Sequence, residues 1–375
     1  MKILYVIPGL KKGGAERIAI DICREISLRK GHQCLLLVLS NENEYRQLTT
    51  DIAIQQINST VQLSLLRKNK IDLQEFDSVV NEFKPNIIHS HLFAAEILSR
   101  EKIFPHIKYF THCHDNMSQL RNFSTQTFFQ KKLLIEFYEK QHLLKNYLKS
   151  NNKFIAISEH TKKYFERVLP AQLQKNIFLL HNAIAFKQFN AVNELQKPFD
   201  KIRILNVGSF VPKKNQKLFI AIAEELRSRH LDFEITLLGN GPIYAEIKKL
   251  TESKKLEQFF SMPGNVADVE NYYARANLYI HTATYEPFGL VLLEAMATGL
   301  PVISLNGGGN QDLINDNENG FMIHDQNPKF FADKVELLFH NRNLFSKLST
   351  GAVEFAKKFD IANYVDQLLM LYAKA

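Results

Sequence analysis

Two glutamates, Glu286 and Glu294, are the residues whose type and spacing best suit chemistry. Glu294 lies inside the apolar run Leu290–Ala297, which Gly299 and Pro301 terminate. We expect this run to be a helix buried on all sides, because apolar residues occupy every face of it. An unpaired carboxylate there would cost several kcal/mol, so Glu294 requires a partner or a ligand.

Glu286 precedes the same predicted helix, in a loop where Pro287 and Gly289 mark the helix entrance. Unsatisfied N–H groups and the helix dipole favour an anion at such a position. The stretch therefore offers two carboxylates that can accept hydrogen bonds from hydroxyls, and a backbone pocket for a phosphate. That combination suits a sugar nucleotide.

Two further turns carry groups that suit phosphate. Lys213 and Lys214 follow Gly208 and a predicted strand at 202–208, so they lie where a diphosphate can bind, although a solvated turn explains them too. Gly13 and Gly14 follow the first predicted strand and let backbone N–H groups approach a ligand, or form a tight turn. Their spacing matches neither the dinucleotide fingerprint nor the Walker motif.

Four histidines form two pairs at predicted strand ends, His89 with His91 and His112 with His114. Strand alternation puts each pair on one face, so a metal site is conceivable. Because no clear set of carboxylate ligands accompanies the pairs, we favour a metal-free role, in which His114 and Asp115 face a cleft.

Composition limits the alternatives. The 375 residues are 45% hydrophobic and contain three cysteines, which indicates a globular, cytoplasmic protein in a reducing compartment. No apolar run reaches the length of about 18 residues that spans a membrane. We expect no nucleic-acid partner, because no recognised binding module is present.

The net charge of +8 is concentrated in the first 200 residues. The amphipathic segment 128–149 contains five lysines, so it could bind the anionic inner face of a cell membrane. It could equally be a helix of the domain with a solvated basic face. A peripheral membrane location is therefore one expectation for the basic N-terminal domain.

The apolar pattern alternates strands and helices twice, which predicts an α/β protein with two Rossmann-like doubly wound domains facing across a cleft. We predict an acceptor-binding domain at 1–187, a linker at 188–200, a nucleotide-sugar-binding domain at 201–358 and a C-terminal helix within 359–375, which could pack on either domain and by preference packs back on the first. The predicted strands are 2–8, 33–39, 86–90, 107–113, 153–157, 177–182, 202–208, 233–238, 258–261, 277–281, 301–305 and 320–323. The predicted helices are 14–29, 71–83, 93–101, 128–149, 158–167, 216–229, 242–253, 267–275, 289–298, 328–340, 344–357 and about 361–373.

The stretch from Tyr285 to Ile303, with seven residues between Glu286 and Glu294, strongly resembles the signature of the family 4 retaining glycosyltransferases, which have the GT-B fold. Weaker motifs follow the family's order along nearly the whole chain. They are Gly13-Gly14-Ala15-Glu16, His114-Asp115, Ala156-Ile157-Ser158-Glu159, His181-Asn182-Ala183, Val207-Gly208 to Lys214-Asn215, Leu238-Gly239-Asn240-Gly241-Pro242 and Asn319-Gly320-Phe321.

The resemblance implies sugar transfer from a nucleotide donor with retention of configuration, and neither a metal nor a cofactor. It implies that Glu286 binds the sugar hydroxyls, that Glu294 binds the ribose and that Lys214 neutralises the diphosphate. Gly14 would approach the diphosphate from the other domain. His114 would contact the sugar near the reacting carbon. The other residues assigned to donor binding are Gly13, Gly208, Ser209, Lys213, Phe288, Gly289 and Leu290.

One departure bears on activity: many members have an arginine after the glycine matching Gly208, and this chain has Ser209. Gln311-Asp312 also stands where Pro-Glu is usual. The predicted enzyme moves a hexose or N-acetylhexosamine, from a UDP-sugar by preference, to a glycan or lipid-linked acceptor in surface polysaccharide biosynthesis. The alternatives are a nucleotide-sugar epimerase or phosphorylase on this fold, a catalytically weak binding scaffold, and a metal-dependent hydrolase using the histidines.

Overall fold

The computed structural model describes residues 1–123, 130–191 and 200–374. The chain divides into two compact units, Met1–Asn182 with Ile361–Ala375, and Ala183–Asp360. Each unit has its own parallel sheet with helices between the strands, so the prediction of two Rossmann-like α/β domains is confirmed. The predicted domain boundaries stay predictions, and residues 192–199 of the predicted linker lie outside the described residues.

The strands follow the apolar runs of the sequence, and every predicted strand is present with slightly shifted ends. They are β1 (Lys2–Ile7), β2 (Gln33–Val38), β3 (Ile54–Gln56), β4 (Val61–Gln62), β5 (Lys70–Ile71), β6 (Ile87–His91), β7 (Lys108–Cys113), β8 (Lys153–Ala156), β9 (Ile177–Leu179), β10 (Ile202–Val207), β11 (Phe233–Leu238), β12 (Phe260–Gly264), β13 (Leu278–His281), β14 (Val302–Leu305) and β15 (Gly320–Ile323).

The helices alternate with these strands. They are α1 (Gly14–Ser27), α2 (Gln74–Phe83), α3 (Phe93–Glu101), α4 (Lys131–Lys149), α5 (Glu159–Val168), α6 (Ala171–Gln174), α7 (Phe186–Asn190), α8 (Leu218–Ser228), α9 (Tyr244–Ser253), α10 (Val269–Arg275), α11 (Leu290–Ala297), α12 (Pro328–His340), α13 (Arg342–Lys357) and α14 (Ile361–Lys374). In the part of the chain that is described, none of them is long and apolar enough to cross a bilayer.

The sheet of the first unit runs β3-β2-β1-β6-β7-β8-β9 over the described residues, with all neighbours parallel. Its interior strand β1 is fully buried from Ile3 to Ile7, as the unbroken apolar run requires. The C-terminal helix α14 packs on this unit, where the Tyr372 hydroxyl lies 2.8 Å from the Tyr5 hydroxyl.

The sheet of the second unit runs β12-β11-β10-β13-β14-β15 over the described residues, again parallel throughout. The carboxyl ends of its strands therefore meet at one edge, which brings the turns after β10, β13 and β14 together. Those three turns contain Lys214, Glu286 and Gly307. The topology thus gathers residues that are far apart in the sequence.

Two local predictions were wrong. The helix predicted from residue 71 begins at Gln74, because β5 pairs antiparallel with β4 and the Asp72 carboxylate accepts the Gln74 N–H at 3.0 Å. Helix α7, whose Phe186 and Phe189 are buried, was not predicted, and its last three residues fall within the stretch 188–200 that was predicted as a linker. Of the helix predicted at 128–149, residues 128–129 lie outside the described residues.

Candidate functional site

Glu286 is the centre of the candidate site in the second unit. It is 6% exposed, and its Oε2 atom accepts hydrogen bonds from Lys214 Nζ at 2.5 Å and from His281 Nε2 at 2.9 Å. No donor among the described residues reaches its other oxygen, Oε1. One oxygen of the carboxylate is thus held twice while the other can accept a hydrogen bond from a ligand.

The electrostatics of this group follow from burial and from its two neighbours. Burial alone would raise the pKa of Glu286, but the Lys214 ammonium and the His281 hydrogen bond outweigh it, so the pKa lies well below the usual glutamate range. Burial lowers the pKa of His281 in spite of the carboxylate beside it. At neutral pH the site therefore consists of an anionic Glu286, a cationic Lys214 and a neutral His281.

Backbone hydrogen bonds lock the loops that carry these side chains. The Thr284 N–H donates to the Lys213 carbonyl at 2.9 Å, and the Glu286 N–H donates to the Gly307 carbonyl at 2.8 Å. A Cβ added at Gly307 would lie 2.9 Å from Glu286 Cβ, so only glycine fits without displacement. The Gly307–Gly309 turn is therefore a fixed support for Glu286.

Helix α11 begins beside this carboxylate. Gly289 immediately precedes it at φ 107°, a conformation that favours glycine, and Phe288 is 2% exposed. The Leu292 N–H donates to the Gly289 carbonyl at 3.0 Å, while the preceding amides of the first turn, which include Leu290, have no partner inside the helix. They and the helix dipole favour an anionic or oxygen-rich ligand close to Glu286.

Glu294 differs from the expectation of a carboxylate buried on all sides. It is half-buried on α11, and its Oε2 accepts a hydrogen bond from the Tyr273 hydroxyl at 2.9 Å. Tyr273 lies on α10 and is itself fully buried. The two glutamates of the motif thus have different environments, an ion pair for Glu286 and a neutral hydroxyl for Glu294.

Only some of the predicted site residues in the turn after β10 lie close to Glu286. Lys214 is turned towards Glu286, and a Cβ added at Gly208 would lie 4.0 Å from the Lys214 side chain. Lys213 is exposed, with its ammonium 5.4 Å from the ring centre of Tyr285, and Ser209 is exposed. The structure therefore brings Gly208 and Lys214 to the carboxylate, and leaves Ser209 and Lys213 at the surface.

The predicted glycine pair lies in the first unit, where α1 begins. Gly13 is the N-cap residue, its N–H donates to the Tyr45 hydroxyl at 2.9 Å, and a Cβ there would lie 2.4 Å from a Glu16 carboxylate oxygen. Gly14 is the exposed first residue of the helix. Both therefore form a helix N-terminus at the carboxyl end of β1, a position that suits an anion.

His89, His91, His112 and His114 form a histidine column at the ends of β6 and β7. Adjacent rings in it have centres 4.3–5.3 Å apart, and His91 Nδ1 lies 2.7 Å from His114 Nε2. Burial and the neighbouring rings lower the pKa of His114 well below its ordinary value, and burial lowers that of His112 to about 4. The column is neutral at physiological pH.

The geometry of the column does not suit a metal. His89, His91 and His112 offer ligand atoms within 4.8 Å of one another, but their rings are stacked with interplanar angles of 20–30°. A metal lies in the plane of each imidazole that binds it, at about 2.0–2.1 Å for zinc, and nearly parallel planes share no such point. The rings would have to turn before they could bind an ion together.

Sequence reasoning missed three residues that shape the site, namely His281, Tyr273 and Gly307. His281 ends a strand whose apolar pattern hides it, and Tyr273 lies on a short helix that carries no motif. Gly307 belongs to a run of three glycines that by itself indicates only a turn, and its contact with Glu286 depends on the order of the strands.

Two family models match consecutive parts of the chain. Glycosyltransferase Family 4 matches residues 12–187, and Glycosyl transferases group 1 matches residues 187–358. An uncharacterized glycosyltransferase of Methanocaldococcus jannaschii is 26% identical over 211 residues, which are 56% of this chain and 56% of that protein. A poly(ribitol-phosphate) alpha-N-acetylglucosaminyltransferase of Staphylococcus aureus is 27% identical over 200 residues, 52% of this chain and 41% of that protein.

The chain spans about half the length of these curated relatives. Among solved structures, HepE of Anabaena in complex with UDP-glucose superimposes with a TM-score of 0.79 at 19% identity, covering 100% of both chains. At that identity the likeness concerns the fold. It supports the two-domain architecture that the strand order shows independently.

Proposed function

We propose, from the premise that the chain belongs to the GT-B glycosyltransferases, that it is a metal-independent retaining enzyme. It transfers a hexose or N-acetylhexosamine from a nucleotide sugar, preferably a UDP-sugar, to a glycan or lipid-linked acceptor. The S. aureus relative, named as an N-acetylglucosaminyltransferase that acts on poly(ribitol-phosphate), and the Anabaena neighbour, crystallised with UDP-glucose, both support this choice.

The observation that carries the proposal is the half-satisfied carboxylate of Glu286. A buried carboxylate that only stabilised the fold would have both oxygens filled, whereas here Oε1 accepts no hydrogen bond from the described residues. Sugar hydroxyls are donors that such an oxygen can accept. Glu294, half-buried on the same helix, is assigned to the ribose.

Glu286 acts in binding and not as a base. A general base works best with a pKa near the operating pH, and the pKa of Glu286 lies far below it. In the proposed reaction the acceptor hydroxyl attacks the face from which the diphosphate leaves, and a phosphate oxygen takes the proton. A covalent glycosyl-enzyme through Glu286 is disfavoured because Lys214 and His281 already hold one of its oxygens.

Lys214 has a second task, since the leaving diphosphate needs a cation. Its side chain is 22% exposed and its ammonium is paired with Glu286, so it can share its charge between the carboxylate and a phosphate. The amides of Phe288, Gly289 and Leu290 supply further positive potential. Lys213, exposed in the same turn as Ser209, is a candidate for the charge that an arginine at position 209 would provide.

Residues of the first unit complete the assignment. Gly13 and Gly14 form a helix N-terminus suited to the diphosphate, and His114 is assigned to the sugar near the reacting carbon. The hydrogen bond between His91 Nδ1 and His114 Nε2 leaves the other nitrogen of His114 to meet a substrate. Because its pKa is depressed, His114 would act as a neutral hydrogen-bonding group.

A thermal-shift panel of UDP-, GDP-, ADP- and dTDP-sugars tests the donor. A ligand at about 100 times its dissociation constant stabilises by roughly 2.7 kcal/mol, enough to raise the melting temperature by several degrees. We expect a UDP-sugar to give the largest shift. Glu286→Ala, Lys214→Ala and Glu294→Ala should each lower turnover of that sugar, whereas Glu252→Ala, an exposed glutamate on α9, should not.

The products separate this function from its alternatives. Transfer to an acceptor or to water identifies a glycosyltransferase, conversion of one free nucleotide sugar into another identifies an epimerase, and release of a sugar phosphate identifies a phosphorylase. Donor binding without turnover under any acceptor would favour a scaffold, for which Ser209 is the specific observation. Wild-type turnover in all three variants would refute the site assignment.

We also propose that the enzyme binds an anionic membrane surface through α4. The exposed side chains of this helix are Lys131, Lys132, Gln141, Lys145, Leu148 and Lys149, so cations predominate there. Vesicles with 30% or so of anionic lipid should sediment the protein, and added salt should release it. The double variant Lys131→Glu/Lys132→Glu should abolish this sedimentation. Equal binding of the wild type to neutral vesicles would contradict the electrostatic basis of the proposal.

A further inference from the structure

His281 contacts the central carboxylate of the site, yet neither the motif nor the roles above use it. It is the last residue of β13, it is 2% exposed, and its Nε2 lies 2.9 Å from Glu286 Oε2. Its other ring nitrogen, Nδ1, is buried with no partner among the described residues. The single polar contact of this ring is therefore made with Glu286.

The direction of that hydrogen bond follows from chemistry. An ionised carboxylate can only accept, so the imidazole must donate through Nε2–H. A neutral imidazole that donates from Nε2 carries its lone pair on Nδ1, which suits a buried nitrogen without a partner better than a second N–H would. The protein thus fixes one tautomer of His281.

Two donors on Oε2 have a geometric consequence for the other oxygen. Lys214 and His281 approach Oε2 from different elements, the turn after β10 and the end of β13. Two fixed contacts to one oxygen restrict rotation of the carboxylate about its last bond. Oε1 is then held in one position instead of exchanging places with Oε2.

The hydrogen bonds from Lys214 and His281 to Glu286 respond differently when a nucleotide sugar binds. Lys214 is part exposed on a flexible stem and shares its charge with the diphosphate, so its bond to Glu286 must weaken. His281 is buried at a strand end and has no competing partner among the described residues. It keeps its bond while the substrate is bound.

We infer that His281 is a positioning residue for the donor sugar, which holds Glu286 Oε1 in place for the sugar hydroxyls when Lys214 turns to the diphosphate. This inference rests on the proposed function of Glu286. It predicts that the loss of His281 weakens recognition of the sugar and leaves recognition of the nucleoside diphosphate unchanged.

The test compares the affinities of UDP and of the UDP-sugar that the thermal-shift panel selects, measured by titration calorimetry. His281→Leu should lower the affinity for the UDP-sugar about tenfold, which is the usual scale for a hydrogen bond to a charged group. The same variant should change the affinity for UDP less than twofold. His281→Gln, whose amide can reach the Nε2 position, should restore most of the loss. His340→Leu, at an exposed position of α12, is the matched control.

A pair of polar variants keeps the test valid if His281→Leu misfolds. His281→Gln places an amide near the position of Nε2, and His281→Asn places one near that of Nδ1. The His281→Gln variant should therefore bind the UDP-sugar more tightly than the His281→Asn variant. In the Glu286→Ala background, His281→Leu should cause no further loss of affinity for the UDP-sugar, because His281 acts through Glu286.

The outcomes separate this inference from the proposed function. If the wild type binds no nucleotide sugar, or Glu286→Ala binds it normally, the proposed function is wrong. If Glu286→Ala loses the sugar while His281→Leu keeps it, the function stands and the positioning role is wrong. Equal losses for UDP and the UDP-sugar in His281→Leu would show that the ring only supports the fold.

Discussion

Among the described residues two glutamates are buried and paired with cations, Glu96 in the first unit and Glu286 in the second. Glu96 and Arg100 are both 0% exposed, with Arg100 Nη1 3.1 Å from Glu96 Oε2. Hydroxyls of Ser90 and Thr111 donate to the two oxygens of Glu96 at 2.9 and 2.7 Å. Every oxygen of this carboxylate is therefore satisfied within the protein.

Glu286 contrasts with Glu96 in three respects. Its two donors share one oxygen, its cation Lys214 is part exposed, and its pKa is depressed where that of Glu96 is raised. Burial is the largest influence on both groups. For Glu96 it prevails over Arg100 and three hydroxyl donors, whereas for Glu286 the nearby ammonium and imidazole prevail over it.

The difference teaches how a structural carboxylate is distinguished from a binding one. Both are buried and paired, so burial and an ion pair do not separate them. The separating feature is an oxygen that the protein leaves without a donor, together with a partner cation that solvent, and so a ligand, can reach. By this criterion Glu96 is part of the core, and Glu286 has the features of the binding group that we propose.

The largest expected effect concerns the first unit. Arg100→Met should destabilise it by about 3–5 kcal/mol, because the variant leaves a buried carboxylate without its cation. Lys214→Met should cost about 1 kcal/mol or less, since His281 still holds Glu286 and the pair lies near solvent. Urea unfolding followed by hydrogen exchange in peptides of each unit measures both.

A double variant serves as the control for that prediction. Glu96→Gln combined with Arg100→Met removes both charges, so it should recover at least about 1 kcal/mol relative to Arg100→Met alone. If the double variant is less stable than the single one, the hydroxyl network and not the charge dominates. If Lys214→Met destabilises as much as Arg100→Met, the proposed distinction between the two pairs is wrong.

Much of the site could be predicted from the sequence, because its parts are local. The helix α11, its entrance at Gly289 and the position of Glu286 before it follow from the apolar pattern and the turn residues of one stretch. The placement of Lys214 follows from a general property of parallel sheets, whose turns gather at the carboxyl ends of the strands. These inferences required no knowledge of packing.

The remainder depends on packing between elements that are distant in the sequence. The pattern of α11 predicted a buried Glu294, but its half-burial and its bond to Tyr273 depend on how α10 packs against α11. His281 ends an apolar strand, and its contact with Glu286 depends on the path that the chain takes after β13. Helix α7 was missed because five residues with two buried phenylalanines show too little periodicity.

The smallest expected effect is the pH dependence of stability, which should have opposite signs for the two glutamates. Glu286 has a folded pKa below the ordinary value of 4.5, so its contribution to stability is present above about pH 4.5 and is lost as the pH falls below it. Glu96 has a folded pKa above that value, so its unit loses stability as the pH rises through the range above 4.5.

Urea unfolding at a series of pH values from about 3.5 to 7 would measure this contrast, with each pKa unit equivalent to about 1.4 kcal/mol. The stability difference between wild type and Glu286→Gln should increase with pH, and that between wild type and the Glu96→Gln/Arg100→Met double variant should decrease. Parallel profiles would mean that the two carboxylates have the same environment. In that case the open oxygen of Glu286 would not distinguish a binding carboxylate from a structural one.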